Sequence, residues 1–442
     1  NKIDISGGNE KLAGAEFTLY RDAECKIPVT SADYETLSSS DTGYVSASVR
    51  RTNSNGQAAW TGLYTGLYFL METKAPEGYQ VNVDASGHVE VRSVAVSGGS
   101  TSVTLTNAEN SKPVSLKKTI NASQACIDQI KNNPFYSLAG AEYSVTLNGK
   151  IVETLKTDAN GNAASTKTYK IGDVLTIKET KAPAGFKLDT KTYTLTVSSG
   201  SNVINVSDIP VFDPPFVLTK VDKDTTTPQG DGSFSGAVFK WEYFANNNWS
   251  GTAARTWYFA TDSNGRVTYS KDMLASGYTS DALYVSPAGV NQLPLGTLKI
   301  TEVKNSLGYT VINQPLYCSI VYENGNAKHV WTADSQKILS QMANGEWGVE
   351  EPIDIKLFGS VTIEKYDAVT GKTPQGEGSF AGAKFRVVNS SKNAVVVNGK
   401  TIAPGNEICV LTTDANGIAK SGSIFPIGTY TVTEIAAPPG YT

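Results

Sequence analysis

Histidine and cysteine are scarce in this chain of 442 residues, which holds two histidines and four cysteines. The histidines, His88 and His329, lie far apart, and no Cys/His cluster has the spacing of a metal site. A Gly-x-Ser-x-Gly motif is also missing, so the signals of a serine hydrolase are absent. We therefore expect no enzyme activity, no metal and no cofactor.

Long apolar runs and an excess of positive charge are missing too. No apolar stretch reaches the roughly 18 residues that a membrane-spanning helix needs. The chain has 38 Lys and Arg against 42 Asp and Glu, for a net charge of -4. A protein that binds nucleic acid or a membrane surface needs a basic face. We therefore expect neither a nucleic-acid partner nor a membrane segment in this chain.

One stretch of the sequence returns at domain-sized intervals. Glu-Thr-Lys-Ala-Pro-Glu-Gly-Tyr at 72–79 recurs in altered form at 179–186, 302–309 and 434–441. Such recurrence indicates tandem copies of one domain. We place the repeats at 1–110, 111–211, 212–355 and 356–442, and we expect the first to lack the start of its first strand and the fourth to lack its last strand. The chain is thus expected to be part of a longer protein.

Each repeat contains one cysteine, so no repeat can hold an internal disulfide. We expect the four to be small buried hydrophobic residues. They are Cys25, Cys126, Cys318 and Cys409.

Short alternating segments and tight-turn signals predict the secondary structure. Asn-Gly dipeptides at 55–56, 160–161, 264–265 and 416–417 are typical of hairpins, because both residues of the turn need positive φ angles. The chain shows almost no helical periodicity. We therefore predict an all-β fold of tandem antiparallel β-sandwiches, with one helix at 334–343.

The third repeat carries extra aromatic-rich sequence at 241–259 and 271–290. Trp241, Trp249, Trp257 and Tyr258 could stack on a sugar, although packing in an enlarged sandwich is the favoured interpretation. Variable loops on a fixed scaffold are where binding sites usually lie. A host-ligand site in this repeat is therefore an alternative function.

Strand parity places charged residues on apolar faces, since residues two apart share a face. One Lys on the first strand and one Glu on a later strand of each repeat point to the core. The lysines include Lys118, Lys220 and Lys365, and the glutamates are Glu72, Glu179, Glu302 and Glu434. On the last strands, Asn107 and Asp208 take the same inward position. Buried Lys and Glu are rare unless they are paired.

Two interpretations of these inward residues remain open from the residue types alone. The first is a buried ion pair kept for fold specificity. The second is covalent, because burial favours a neutral amine, which is a nucleophile, and a protonated carboxyl group, which can move protons. The amine would attack the Asn or Asp side chain, and ammonia or water would leave as an amide forms.

Five features of the repeats together resemble the Cna-B type domain. They are the inward Lys, the Leu-Ala-Gly-Ala-Glu-Phe turn at 12–17, the Asn-Gly hairpin, the Glu-Thr-Lys-Ala-Pro-x-Gly-Tyr stretch and the final Asn. That family includes the B-repeats of collagen-binding adhesins and the shaft domains of SpaA-type Gram-positive pilins. The resemblance covers all four repeats. It implies a prealbumin-like, inverse immunoglobulin-like sandwich, an intramolecular isopeptide bond between first and last strands, and sortase attachment to a cell wall or pilus.

The resemblance assigns roles repeat by repeat. In the first, Lys2 would be linked to Asn107 with Glu72 as the catalytic acid; in the second, Lys118 to Asp208 with Glu179. The third has Lys220 and Glu302, but its acceptor position falls near 350–352, where no clear Asn or Asp lies. The fourth has Lys365 and Glu434 and no last strand.

The sequence therefore predicts a stalk or shaft segment of an adhesin or pilin, anchored to the cell wall outside a Gram-positive bacterium. Its expected partners are sortase-linked wall or pilus subunits beyond this chain. The alternative is a module that binds a host glycan or matrix protein through the third repeat. An accessory region of a secreted enzyme is a third hypothesis.

Overall fold

The computed structural model describes residues 2–4, 10–108, 110–351 and 357–442, with only the backbone described at 2–4, 350 and 351. Within these residues there are 29 strands, one α-helix and three short 3-10 turns. The predicted all-β class is confirmed. No helix among the described residues is long and apolar enough to cross a membrane.

The first repeat forms a four-stranded antiparallel sheet, in the order β3-β2-β4-β5, and a pair, β1-β6. Its strands are β1 (Lys2–Asp4), β2 (Glu16–Tyr20), β3 (Val49–Arg51), β4 (Gly66–Lys74), β5 (Val91–Val96) and β6 (Leu105–Asn107). Between β2 and β3 runs the Ser-rich insertion, which includes a 3-10 turn at Ser31–Asp33. The buried residues of β4 alternate along the strand, as expected for a sheet with one face in a core, whereas three consecutive residues of β2 are buried.

The second repeat has the same two-sheet plan, with sheets β10-β7-β13 and β12-β11-β8-β9. Its elements are β7 (Ser111–Ile120), α1 (Gln124–Ile130), β8 (Glu142–Leu147), β9 (Lys150–Lys156), β10 (Asn162–Lys170), β11 (Val174–Lys181), β12 (Thr192–Thr196) and β13 (Val203–Asp208). Val114 and Leu116 of β7 face Leu175 and Ile177 of β11 in one buried cluster. The predicted inward faces of both strands are confirmed.

The third repeat has sheets of four and five strands, β17-β14-β22-β21 and β16-β15-β18-β19-β20. Its strands are β14 (Val217–Asp222), β15 (Val238–Phe244), β16 (Arg255–Ala260), β17 (Arg266–Thr268), β18 (Gly296–Lys304), β19 (Leu316–Glu323), β20 (Asn326–Trp331), β21 (Leu339–Gln341) and β22 (Trp347–Glu351). A 3-10 turn at Lys271–Met273 follows β17. Trp241 and Trp257 are fully buried in its core, which supports packing as their role.

The fourth repeat is built from three small sheets, β23-β28, β27-β24-β29 and β25-β26. Its strands are β23 (Thr362–Glu364), β24 (Lys384–Asn389), β25 (Val395–Val397), β26 (Lys400–Ile402), β27 (Glu407–Thr412), β28 (Ile418–Lys420) and β29 (Tyr430–Ala436). In the described part of this repeat, β28 is the one strand paired with β23.

The chain divides into two compact units. The first holds the described residues up to Thr119 together with Ala139–Lys181 and Asp189–Val206. The second holds Ile120–Leu138, Ala182–Leu188 and Ser207–Thr442. The four-domain boundaries remain a prediction, and the one proposed at 352–355 lies outside the described residues.

The helix predicted at 334–343 is wrong. A single 3-10 turn at Ser335–Lys337 is followed by β21, which pairs antiparallel with β22. The apolar spacing of Ile338, Leu339 and Met342 fits a helix, but pairing with β22 satisfies the backbone of this segment as a strand. Tertiary contacts commonly override such a short pattern.

The α-helix α1 lies where none was predicted. The side chain of Ser123 caps it by accepting a hydrogen bond from the Cys126 amide. Cys126 and Ile130, one helical turn apart, are buried in the large cluster of the second unit with Leu293 and Leu295. Cys126 and Cys318 are the buried residues that we expected, whereas Cys25 and Cys409 are partly exposed.

Candidate functional site

Each Glu that was predicted to point inward lies opposite an aromatic residue at an irregularity in the sheet. The register pairs are Glu72 with Phe17, Glu179 with Tyr143, Glu302 with Phe239, and Glu434 with Phe385. In all four repeats the register shifts next to this pair. A bulge bends the strand and redirects a side chain, so the same backbone device places all four carboxylates.

The Asn-Gly turn holds the backbone of the Lys in three repeats. The amides of Lys118, Lys220 and Lys365 donate to the carbonyls of Gly161, Gly265 and Gly417 at 2.7, 3.0 and 2.8 Å. Each of these glycines has a positive φ between 74° and 77°. The prediction of hairpins is wrong, because the strands before and after each Asn-Gly dipeptide do not pair with each other, and only the glycine of each dipeptide has a positive φ. The turn instead leads the chain to the strand beside the one that carries the Lys, and its glycine carbonyl fixes where the Lys strand lies.

In the second repeat, Lys118 and Glu179 form a fully buried ion pair. Lys118 Nζ lies 2.7 Å from Glu179 Oε1, and both side chains are 0% exposed. The amine also donates to the Tyr143 hydroxyl. The other carboxylate oxygen, Oε2, accepts from the Asp189 amide at 2.6 Å. One oxygen is thus anchored to the backbone while the other faces the amine.

The third repeat repeats this geometry without the hydroxyl. Lys220 Nζ lies 2.6 Å from Glu302 Oε1, and both side chains are buried. Glu302 Oε2 accepts from the Ile312 amide at 2.8 Å. The amine lies 5.7 Å from the centre of the Phe239 ring. In both repeats, therefore, a backbone N–H donates to one carboxylate oxygen and the other oxygen contacts the lysine.

In the first repeat the structure brings Glu72 and Asn107 together. Asn107 is fully buried, and its Nδ2 donates to Glu72 Oε2 at 3.0 Å and to the Gln80 carbonyl. The carboxylate thus meets the amide nitrogen, the atom that would leave as ammonia. The Lys2 side chain lies outside the described residues.

The fourth repeat departs from the prediction that Glu434 faces a core. Lys365 Nζ lies 2.7 Å from both oxygens of Glu434, but the side chains are 19% and 33% exposed. Val432, on the same face of β29, is also exposed. In the described residues of this repeat, no strand takes the place of β6, β13 or β22 beside β23, so the pair stays open to water.

First and last strands lie side by side in three repeats. β1 pairs with β6 in parallel, with Lys2 opposite Leu105, so that Asn107 lies two positions further on. β7 and β13 are neighbours, and Asp208 is buried at the end of β13. β14 pairs with β22 in parallel, with Lys220 opposite Val349 and Glu351 two positions further on. The register therefore places Glu, rather than Asn or Asp, at the acceptor position of the third repeat; the side chains at 350 and 351 and residue 352 lie outside the described residues.

Sequence reasoning missed the aromatic residue beside each Glu and the backbone donors behind it. The aromatic could have been found, because Phe or Tyr closes the small-residue turn in every copy, at positions 17, 143, 239 and 385. The donors, Asp189 N and Ile312 N, carry no residue-type signal. Their position depends on how the chain turns after the Glu strand.

A family model described as SpaA, prealbumin-like fold domain, matches residues 1–109, 127–209 and 359–442, which is more than half of the chain. The matched stretches leave out the third repeat. The trypsin-resistant surface T6 protein of Streptococcus pyogenes serotype M6 is 28% identical over 157 residues, which is 35% of this chain and 27% of that protein.

Two solved structures are similar at low identity. The TIE protein of Bacillus anthracis is 17% identical, with a TM-score of 0.46 over 97% of this chain and 64% of its own. BcpA, the major pilin subunit of Bacillus cereus, is 14% identical, with a TM-score of 0.30 over 80% of this chain and 98% of its own. At these scores the whole-chain superpositions carry no further argument.

Proposed function

Because this chain belongs to the SpaA family of prealbumin-like fold domains, we propose that it is a stalk segment of a Gram-positive surface adhesin or pilin, stabilised by isopeptide bonds that it forms itself. It acts outside the cell, joined to wall or pilus subunits through regions beyond this chain. The observation that carries the proposal is the buried Lys118–Glu179 pair, at the predicted positions of amine and acid.

The first repeat would form its bond between Lys2 and Asn107. The Lys2 amine attacks Cγ of Asn107, a C–N bond forms, and the original C–N bond to Nδ2 breaks. Glu72 takes a proton from the attacking amine and gives one to Nδ2, which leaves as ammonia. The hydrogen bond from Nδ2 to Glu72 supports this role, since it already joins the leaving atom to the acid.

The second repeat would join Lys118 to Asp208 and release water. Here the acceptor is a carboxyl group, so one oxygen of Asp208 leaves as water after Glu179 has passed it a proton. Burial of Lys118, Glu179 and Asp208 supports the reaction, because a site without water strengthens the electrostatic interactions among these groups and prevents side reactions.

Such bonds would change how the chain carries tension. Stretching a tandem array pulls on the first and last strand of each repeat, and an amide between them lets the force bypass the rest of the fold. By analogy with a disulfide that closes a loop of about 100 residues, the bond would add roughly 4–5 kcal/mol of stability. It also resists reduction, which suits a chain whose four cysteines are all free.

Mass spectrometry of the intact chain, followed by digestion, tests the proposal. We expect the mass of one ammonia to be lost within residues 1–110 and the mass of one water within 111–211. Digestion should yield branched peptides that join Lys2 to Asn107 and Lys118 to Asp208. A mass equal to that of the plain sequence would contradict the covalent proposal and leave a stalk held by ion pairs.

Binding of a host ligand by the third repeat remains a prediction. Two of the four aromatic residues on which it rests, Trp241 and Trp257, lie in the core, which is why we propose the stalk role ahead of it. Tyr258 and Tyr278 stack near the surface with ring centres 4.8 Å apart. Screening the full chain against glycan and matrix-protein arrays would test this alternative.

A further inference from the structure

Tyr143 is a tyrosine where the other three repeats have phenylalanine. Its place in the sheet is the same, opposite the Glu and beside the shift in register, as for Phe17, Phe239 and Phe385. The side chain is fully buried. A buried hydroxyl costs free energy unless it forms a hydrogen bond, and here it accepts one from the Lys118 amine.

We propose that the Tyr143 hydroxyl is a catalytic group of the second repeat, which orients the Lys118 amine for attack on Asp208. This inference rests on the proposed isopeptide bond and adds a residue to its chemistry. The other repeats offer only a ring face at this position, whereas Tyr143 offers both the ring, 5.0 Å from Lys118 Nζ, and an oxygen acceptor.

A neutral amine has two N–H bonds and one lone pair on the nitrogen. Lys118 Nζ donates to Glu179 Oε1 and to Tyr143 Oη. When both N–H bonds are directed in this way, the lone pair must point away from both acceptors. A phenylalanine would leave the second N–H without this acceptor and the lone pair free to turn about the Cε–Nζ bond. Orientation of a nucleophile contributes directly to its rate.

The reaction balances without an external reagent. The Lys118 lone pair forms a bond to Cγ of protonated Asp208, and one N–H proton passes to Glu179. Glu179 then protonates a hydroxyl on the tetrahedral carbon, the C–O bond breaks, and water leaves. Tyr143 keeps its own proton throughout; its oxygen holds the second N–H, which stays on the nitrogen of the amide.

Tyr143→Phe tests the proposal with the ring retained. The full chain is made by cell-free synthesis at several pH values, quenched in acid at intervals and digested, and the water-loss peptide of the second repeat is measured against time. Loss of one hydrogen bond to the amine should slow this step about tenfold. The ammonia loss of the first repeat, in the same molecules, should keep its rate. Tyr169→Phe is the matched control, because this side chain is also buried in the repeat but its hydroxyl donates to Glu153 rather than contacting Lys118.

Folding is separated from chemistry in a background that cannot react. Asp208→Ala and Asp208→Ala with Tyr143→Phe should unfold at the same temperature. An unchanged rate in Tyr143→Phe overturns the inference, as does an equal slowing in Tyr169→Phe or a lower unfolding temperature in the double variant. If the wild-type second repeat loses no water at all, the proposed function fails there and the inference falls with it.

Discussion

Losing one partner of a Lys–Glu pair costs more stability when the pair is buried than when it lies at a surface. Lys220 and Glu302 are enclosed in the third repeat, whereas Lys365 and Glu434 make equally short contacts with partial access to solvent. Removing one partner of a buried pair leaves a charge without compensation. Water replaces the lost partner at an exposed site.

We expect Lys220→Met to cost the third repeat about 3–5 kcal/mol. Lys365→Met should cost the fourth repeat less than about 1 kcal/mol. Hydrogen exchange measured on peptides of each repeat reports both values in the full chain. Equal losses in the two variants would contradict the difference in environment.

Glu72→Gln should abolish the ammonia loss of the first repeat. The amide keeps the size of the side chain but cannot take up and return the proton. The repeat should also lose roughly the 4–5 kcal/mol that the closed loop contributes. The measurement is intact mass together with thermal unfolding. Glu77→Gln, an exposed glutamate just beyond the same strand, should change neither.

Strand parity alone predicted which charged residues face the cores. It succeeded for Glu72, Glu179 and Glu302 because a period of two leaves no other face for them. It failed at Glu434, since parity identifies a face of a strand but not whether another strand covers that face. The sequence shows that residue 143 is a tyrosine, but it does not predict the contact of its hydroxyl with Lys118, because that contact depends on how the two sheets pack.

The Asn-Gly turn contacts the backbone of the Lys that lies next to the Glu in each of three repeats. Gly265 has a φ of +77°, and a Cβ added there would lie 2.7 Å from Cβ of Phe234. Its carbonyl also accepts from the Lys220 amide. The turn is therefore constrained by its backbone, by a neighbouring ring and by the strand that carries the Lys.

Gly265→Ala should destabilise the third repeat by roughly 1–3 kcal/mol more than Gly251→Ala. Both glycines have positive φ, but a Cβ at Gly251 would meet nothing within 4 Å. Urea unfolding followed by tryptophan fluorescence measures the difference, because five of the six tryptophans lie in this repeat. Equal losses would show that φ alone sets the requirement.

The insertion of the first repeat is organised around a buried charge pair. Arg50 and Asp41 are joined at 2.8 Å with almost no exposure. Burial tends to raise the pKa of Asp41, but hydrogen bonds from Thr61 and Arg50 outweigh it, so that this pKa lies below the usual 3.8. The stability contributed by Asp41 is therefore present above pH 3.8 and is lost as the pH falls below it.

Asp41→Asn should destabilise the insertion by about 3–5 kcal/mol at neutral pH, because Arg50 keeps its buried charge. The difference from wild type should shrink as the pH falls below about 4. Thermal unfolding of the first repeat at a series of pH values is the measurement. Glu24→Gln, an exposed member of the same insertion, should show no such dependence, and a constant difference for Asp41→Asn would contradict the assigned pKa direction.

At the level of elements, the turns were easier to predict than the segments between them. The Asn-Gly pairs do form turns, but not the predicted hairpins, because the strands on either side of each turn pair with other strands. The Lys and Glu strands carry local signals that tertiary contacts do not oppose. The helix α1 has a Ser cap and two buried apolar residues one turn apart. In a helix of seven residues, this pattern is too short to be distinguished from a chance arrangement. The segment at 334–343 had the stronger helical pattern but became β21, because β22 supplies it with strand hydrogen bonds.

For the whole molecule, composition predicted the all-β class, whereas nothing in the sequence predicted the division into two compact units. Residues 120–138 of the second repeat and its 182–188 turn group with the second unit. Docking of this kind depends on surface complementarity, for example Asn133 donating to the Tyr243 hydroxyl at 2.9 Å. No pattern in the sequence predicts a contact between these two residues.

Stretching the chain from its ends tests the stalk role at this scale. With Lys118 joined to Asp208, the residues between them cannot extend, so Glu179→Gln should add roughly 300 Å to the fully stretched length. Glu434→Gln is the matched control and should add nothing, since the fourth repeat lacks an acceptor strand among its described residues. Single-molecule force spectroscopy measures both lengths, and an unchanged length in Glu179→Gln would contradict the bond in the second repeat.

The four Asn-Gly turns also bear on how the protein ages. Asparagine before glycine is prone to deamidation, which begins when the glycine nitrogen attacks the asparagine side chain. In these turns the nitrogens of Gly56, Gly161, Gly265 and Gly417 donate to a carbonyl three residues back, at 2.9–3.0 Å. The attacking atom is thus held in a hydrogen bond, so the folded turn is protected from a chemical change that an unfolded copy of the same sequence would undergo readily.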